Sequence, residues 1–219
     1  MDFYVPLFLI LPFLLGKKTS ASSTSKSVSS EYYFPDVQKV KSVPFAIGAI
    51  KPKWPLITKN KRGSEVPYLS KTGKYIGNSS RSFGALRSDG ERFHVGLDLY
   101  CDLNDVVVAM ESGIVVGIQG FLGPTKAILI QGNSGLVVLY GEVRNNSWNE
   151  FNIKEGSKVK AGDPIARIGE NDAGTFMLHL ETYLKGTTQN IQWLTNKPIN
   201  PNIRNPTKYL LQARKYDLS

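Results

Sequence analysis

Short runs of apolar residues, separated by turn-forming residues, dominate the chain from about residue 90 onward. Val, Ile, Leu and Tyr are abundant in these runs, and β-branched and aromatic residues favour strands. Turn signals such as Gly132-Asn133-Ser134-Gly135 separate them, and no stretch of this region has a long helical period. The runs are FHVGLDLYC (93–101), DVVVAM (105–110), GIVVGIQ (113–119), KAILIQ (126–131), GLVVLYGEV (135–143), PIARIG (164–169) and FMLHLETYL (176–184). This pattern predicts a mostly β protein, an antiparallel β-sandwich or flattened barrel.

The chain begins with an apolar segment of a different kind. Residues 2–16, DFYVPLFLILPFLLG, are almost wholly apolar, but a transmembrane helix needs about 20 such residues. The small residues Thr19-Ser20-Ala21 follow, so we predict that residues 1–21 are a signal peptide. The mature protein is then secreted or periplasmic, without a stable membrane span. Lys17 and Lys18 follow the apolar run instead of preceding it, which leaves an uncleaved anchor as the alternative.

Two less regular segments flank the β region. Residues 22–79 begin with a Ser-rich, low-complexity linker and continue as a Pro-, Gly- and Ser-rich extension that we expect to wrap around the β core. We place the domain at residues 80–211 and a basic tail at 212–219. Near the end of the chain, Asn-Pro breaks precede a stretch that predicts one short helix or coil. We expect a monomer.

Composition limits the chemistry and the partners. The hydrophobic content of 41% is sufficient for a core. The net charge of +9 favours an acidic partner such as a cell-wall polymer. No nucleic-acid motif accompanies the modest basic cluster at 51–63, so we expect no nucleic-acid partner. Cys101 is the only cysteine, which excludes an internal disulfide and a zinc site built on thiolates.

Both histidines of the chain lie in patterns that suit a metal. His94 and Asp98 are four residues apart, and in an extended strand they would lie roughly 13 Å apart. Ligands of one zinc ion each lie about 2 Å from it. The chain must therefore bend between them, and Gly96 is the residue that allows the bend.

The second histidine lies in an apolar strand, where histidine is more often a hydrogen-bonded core residue than a ligand. Alternation places Met177, His179 and Glu181 on one face of that strand, with leucines on the other. If the two strands are neighbours, His94, Asp98 and His179 form a three-ligand zinc site with one open position. Glu181 would then accept a hydrogen bond from a ligand histidine.

Several motifs together resemble one family. FHVGLDLY, ESGIVVGI, EGSKVKAGDPIARIG, LHLETY and NPTKYL occur in the order found in the lysostaphin- and LytM-type zinc peptidases (metallopeptidase family twenty-three). These enzymes cut peptide bonds in bacterial peptidoglycan and have a duplicated-hybrid-motif fold. The resemblance covers about residues 80–211. It implies that His94 and Asp98 form the family's His-x-x-x-Asp motif and that His179 is the zinc-binding second histidine of His-x-His.

The sequence departs from the family at two positions. The resemblance implies two further histidines that polarise the reacting water and stabilise the oxyanion, but here these positions are Met177 and Glu142. Methionine can do neither. Glu142 is a candidate catalytic base, or simply a surface charge at the end of a strand, and regular alternation places it on the same face as Tyr140.

Two functions therefore remain open. One is a zinc-dependent endopeptidase of weak or atypical activity that acts on cross-link or stem peptides of peptidoglycan. The other is a catalytically inactive zinc-binding pseudoenzyme that binds cell-wall peptide or glycan, or that regulates another hydrolase.

Overall fold

The computed structural model describes Val40, residues 51–70 and residues 72–217 of the chain. The predicted signal peptide at 1–21 and the low-complexity linker that follows it lie outside the described residues.

Strands account for most of the regular structure. Each of the seven predicted runs contains a strand, and all strand pairs among the described residues are antiparallel, so the prediction of a mostly β, antiparallel fold is confirmed. Three short 3-10 turns, Ser79–Arg81, Ser88–Gly90 and Ser147–Phe151, connect strands. The strands are β1 (Leu56–Ile57), β2 (Tyr68–Leu69), β3 (Tyr75–Ile76), β4 (Leu86–Arg87), β5 (Arg92–Phe93), β6 (Leu97–Tyr100), β7 (Val106–Val108), β8 (Gly113–Gly120), β9 (Lys126–Gly132), β10 (Val137–Val143), β11 (Lys158–Val159), β12 (Pro164–Arg167), β13 (Met177–Tyr183), β14 (Trp193–Leu194) and β15 (Ile203–Arg204).

The largest sheet has the strand order β11-β8-β9-β10-β13-β15, and β6 also pairs with β13. A second sheet has the order β1-β7-β12. Its edge strand β1 belongs to the segment that was expected to wrap around the core, and Leu56 pairs there with Val107. Two smaller sheets, β14-β5-β4 and β2-β3, complete the described part of the chain.

One apolar cluster joins the two main sheets. Leu129 and Leu139 of the large sheet and Val107 and Ile165 of the second sheet are fully buried in it. Burying one such side chain contributes roughly 1.5–3 kcal/mol. Tyr140 is also buried in this core, where its hydroxyl oxygen accepts a hydrogen bond from the backbone N–H of Met110 at 2.8 Å. The core therefore holds the central strands of the large sheet in a fixed register.

The C-terminal helix α1 (Thr207–Asp217) packs on this core through Leu210 and Ala213. The hydroxyl of Tyr209 donates a hydrogen bond to the buried carboxylate of Glu111, which fixes the helix to the β8 region. The helix continues across the boundary at 211/212 that the sequence placed between domain and tail. In the described part of the chain, no helix has the length and apolar character needed to span a bilayer.

Candidate metal centre

Strand pairing brings the three predicted ligands together. In the register of β6 with β13, His179 lies directly opposite Asp98. Nδ1 of His179 is 2.8 Å from Oδ1 of Asp98, and Nε2 of His94 is 3.1 Å from the same oxygen. The two ring nitrogens are themselves 3.1 Å apart. All three side chains are buried, so one small, enclosed point has three potential ligand atoms around it.

The expected bend occurs at Gly96. The chain leaves β5 after Phe93 and enters β6 at Leu97, so His94 and Asp98 are not on one continuous strand. A Cβ atom on Gly96 would lie 2.7 Å from Nε2 of His179 and 2.6 Å from the carbonyl oxygen of Leu180. Gly96 therefore provides the space into which the His179 ring fits, in addition to allowing the bend.

The outer nitrogen of each imidazole has a hydrogen-bond acceptor. Nδ1 of His94 donates to the carbonyl oxygen of Ser82 at 2.9 Å, and Nε2 of His179 donates to Glu181 at 2.9 Å. When each imidazole is neutral, its inner nitrogen is thereby left as a lone-pair donor, which is the arrangement that metal-binding histidines require. Glu181 thus accepts a hydrogen bond from His179, and its role beside a bound metal stays a prediction. The Ser82 carbonyl has no signature in the sequence, because any residue supplies a backbone oxygen.

Arg87 is a functional neighbour that the sequence analysis missed. Its guanidinium donates to Oδ2 of Asp98 at 2.9 Å, so the carboxylate is held with Oδ1 facing the two imidazoles. Only the pairing of β4 with β5 brings Arg87 close to the ligands, and no local motif in the sequence indicates that pairing.

The charges of the centre are coupled. Burial lowers the pKa of His94, so this imidazole is neutral near pH 7. Burial alone would raise the pKa of Asp98, but the two neighbouring histidines hold it well below its ordinary value. Burial would also lower the pKa of His179, but hydrogen bonds to Asp98 and Glu181 raise it to about 10. One positive charge between two carboxylates is thus favoured here, and a divalent cation satisfies the same requirement.

The donor set suits zinc. Two imidazole nitrogens and one carboxylate oxygen are the ligands of many catalytic zinc sites. Tetrahedral ligands about 2.0–2.1 Å from a zinc ion lie about 3.3 Å apart. The separations of 2.8–3.1 Å are smaller by only a few tenths of an ångström. His94, Asp98 and His179 therefore form a group that can hold a divalent metal ion.

Glu142 reaches this centre through a β-bulge. Regular pairing from Tyr140 with Ile128 would place Glu142 opposite Lys126, but Val143 occupies that place. One extra residue is thus inserted in β10, and Glu142 has a left-handed backbone with φ of 62°. The prediction that Glu142 shares a face with Tyr140 is wrong. Tyr140 is in the core, whereas Glu142 lines the same groove as His179, because a bulge reverses the alternation of side chains.

The Glu142 carboxylate is buried and held by one contact. Its Oε2 accepts a hydrogen bond from the side-chain amide of Asn171 at 2.9 Å. Asn171 is anchored in turn, since its Oδ1 accepts hydrogen bonds from Thr175 and from the backbone N–H of Ala173. Burial raises the pKa of Glu142 to about 7. The alternative of a surface charge is therefore wrong, because the residue Glu142 is only 3% exposed.

A groove of about 600 Å³ opens over the three ligand residues. Phe121 forms part of its wall and lies with its ring centroid 5.0 Å from that of His179. Met177 lines the same groove and is half-buried. Its thioether has no proton to donate, so this position supplies no hydrogen bond to a bound molecule. The groove is large enough for a peptide segment.

Two histidines and an aspartate beneath an open groove are an arrangement that suits a metallopeptidase. Residues 92–191 match the sequence model of peptidase family M23. That segment is similar to this family, so the resemblance to LytM- and lysostaphin-type peptidases is confirmed.

Similar proteins include a lipoprotein NlpD/LppB homolog from Pseudomonas aeruginosa. It is 28% identical over 124 residues, which are 56% of this chain and 36% of that protein. This chain thus spans about a third of that relative's length. The catalytic domain of lysostaphin from Staphylococcus simulans has a TM-score of 0.45 and 22% identity, covering 59% of this chain and 89% of that one. The catalytic domain of the prophage-encoded protein EnpA from Enterococcus faecalis has a TM-score of 0.38 and 24% identity. The match covers 50% of this chain and 76% of that one.

Replacing Gly96 with alanine is expected to weaken metal binding sharply. The added methyl group would lie within 3 Å of His179 and of the Leu180 carbonyl, so the imidazole or the strand must move. Zinc affinity, measured by competition with a chromogenic chelator, reports the change. Gly120→Ala in β8 is the matched control, because nothing lies within 4 Å of its added methyl group. Equal zinc affinity of the two variants would contradict the role of Gly96.

Proposed function

We propose that this chain is a zinc-dependent peptidase of low activity that acts on the peptides of cell-wall peptidoglycan. The observation that carries the proposal is the convergence of three buried ligand atoms whose outer hydrogen bonds orient their lone pairs toward one point. Such orientation by outer partners is typical of built metal sites. His94, Asp98 and His179 would hold the ion, and Glu181, Ser82 and Arg87 would fix their orientation.

Side chains in the groove would carry out the other steps of hydrolysis. A zinc ion, when bound, polarises a peptide carbonyl and lowers the pKa of water. Glu142 accepts the proton that the attacking water loses, since its pKa of about 7 suits a general base near neutral pH. Asn171 orients that carboxylate through its amide. The left-handed backbone of Glu142 supports this assignment, because strained residues cluster at functional sites.

Low activity follows from Met177. In the resemblance that the sequence establishes, this position is a histidine that donates a hydrogen bond during the reaction. Losing one donor to a developing oxyanion costs roughly 10²–10³-fold in rate. We therefore propose hydrolysis that is slow compared with that of relatives carrying both histidines.

The net charge of the chain and its similarity to known proteins support a substrate and a cellular location. A net charge of +9 favours binding to an acidic cell-wall polymer. A similar protein is described as a lipoprotein, and the apolar N-terminal residues resemble an export signal. We propose that the protein works outside the cytoplasm, on peptidoglycan.

A zinc-binding pseudoenzyme is the second candidate. Two observations favour it: Met177 supplies no donor, and one oxygen of Glu142 is already bonded to Asn171. Such a protein would bind wall peptide or glycan, or would regulate another hydrolase, without hydrolysing peptide bonds itself.

Metal content and wall digestion, measured on the same sample, test the proposal. Protein purified without chelator is expected to contain about one equivalent of zinc and to release new amino groups slowly from purified peptidoglycan. Chelator should stop the release, and added zinc should restore it. Folded protein that takes up no zinc would contradict the proposal. Zinc-loaded protein that binds wall fragments tightly without cutting them would establish the pseudoenzyme instead.

A further inference from the structure

Three arginines line the groove above the ligands: Arg81, Arg87 and Arg92. Arg87 forms an ion pair with Asp98, as described above. Within the described ranges, neither Arg81 nor Arg92 has a carboxylate within ion-pair distance. The groove therefore contains two positive charges that have no ion-pair partner among the described residues.

The guanidinium of Arg81 stacks on an aromatic ring and has no hydrogen-bond acceptor among the described residues. Its guanidinium lies 3.6 Å from the ring centroid of Tyr100, a cation–π contact that fixes its position. No hydrogen bond joins it to an acceptor among the described residues, and its Nη1 is buried without a partner. A buried, unsatisfied donor is costly. The Arg81 guanidinium can therefore donate hydrogen bonds to an acceptor on a bound molecule.

Arg62 stacks on the same tyrosine ring, also at 3.6 Å from the centroid, but its surroundings differ. It is exposed, pairs with Glu65 at 3.2 Å, and does not line the groove. The two arginines therefore share one aromatic partner, and only Arg81 can reach a molecule in the groove.

Arg92 adds a second cation on the same wall. It lies directly opposite Arg87 in the β4–β5 pair, and its Nε donates only to the hydroxyl of Ser88, at 3.3 Å. Like charges opposite each other on paired strands are destabilising. An anion bound in the groove relieves this repulsion.

We propose that the groove binds a peptide bearing a free carboxylate, and that Arg81 holds that carboxylate by charge-assisted hydrogen bonds. The planar guanidinium suits a carboxylate because its donors match the two oxygens. This inference rests on the proposed function and narrows its substrate class to wall peptides that carry a free carboxylate. Arg81 is then a specificity residue that lines the groove without being one of the three potential metal ligands.

Binding of matched peptides tests the proposal. The test peptides are two matched pairs with the sequence L-Ala-γ-D-Glu-L-Lys-D-Ala. In the first pair, the two peptides differ only in whether the glutamate α-carboxylate is free or amidated. In the second pair, they differ only in whether the C-terminal carboxylate is free or amidated. Calorimetry with the full zinc-loaded chain is expected to show that the acid of at least one pair binds about 10–100-fold more tightly than its amide. Arg81→Gln should remove that preference. Arg81→Lys, which keeps the charge, should retain part of it.

Arg62→Gln is the matched control, and it should leave the preference for the acid unchanged. Equal affinity for acid and amide in both pairs, or an undiminished preference in Arg81→Gln, would overturn the inference. Zinc content and peptidoglycan digestion are measured on the same samples. Protein that cuts or binds the wall without any acid preference refutes only the role of Arg81, whereas protein that neither cuts nor binds wall peptides refutes the proposed function as well.

Discussion

Replacing His179 with alanine is expected to abolish stoichiometric zinc binding and, with it, any hydrolysis of peptidoglycan. The imidazole supplies one of three ligand atoms and also lies between the carboxylates of Asp98 and Glu181. In the proposed site, its loss would remove a metal–nitrogen bond and leave two buried anions facing each other. We expect the zinc affinity to fall by more than the roughly 10–100-fold that follows loss of an outer hydrogen-bond partner. Elemental analysis after dialysis and chelator competition give the two measurements.

Glu181→Gln provides the graded comparison. The amide oxygen still accepts from His179, but the negative charge that polarises the imidazole is gone. Zinc affinity should fall by about 10–100-fold, which is less than for His179→Ala. Circular dichroism verifies that both variants keep their β structure. A His179→Ala protein that still holds one equivalent of zinc at the affinity of the parent would show that the metal lies elsewhere.

Replacing Glu142 with glutamine is expected to lower residual hydrolysis by roughly 10²-fold or more. The substitution keeps the length of the side chain and an oxygen that accepts from Asn171, but it removes the proton acceptor. Zinc content should stay at the parent's level, because Glu142 is not among the three ligand residues. Rates of amino-group release from purified peptidoglycan, compared at equal zinc content, provide the measurement.

Met177→His is the reciprocal experiment, and it should raise the rate. Met177 lies on β13 two residues before His179 and lines the same groove, so an imidazole there restores a hydrogen-bond donor beside the metal centre. Restoring one such donor is worth up to roughly 10²–10³-fold. The pseudoenzyme alternative predicts a parent without hydrolysis and no effect of Glu142→Gln. A parent that hydrolyses rapidly and responds to neither substitution would place the catalytic groups elsewhere.

The sequence by itself determined the strands and the candidate ligands. Alternation and turn residues are local signals, so they predicted each run of β structure from 93–101 to 176–184. The spacing of His94 and Asp98 required a bend, and the chain bends at Gly96 as the spacing demands. With only two histidines in the chain, few sets of residues could form a metal site, and motif resemblance selected one of them.

Only the tertiary structure decided how Glu142 and the arginines relate to the centre. The bulge in β10 depends on the register of two neighbouring strands, and register is a property of pairing that no single segment contains. Regular alternation therefore gave the wrong face for Glu142. Arg87 and Arg81 precede the first ligand by several residues, and they reach the groove only because β4 pairs with β5 and Arg81 stacks on Tyr100. Contacts between residues far apart in the sequence produce no periodic pattern in it. The positions of Glu142, Arg81 and Arg87 therefore depend on strand pairing and side-chain packing.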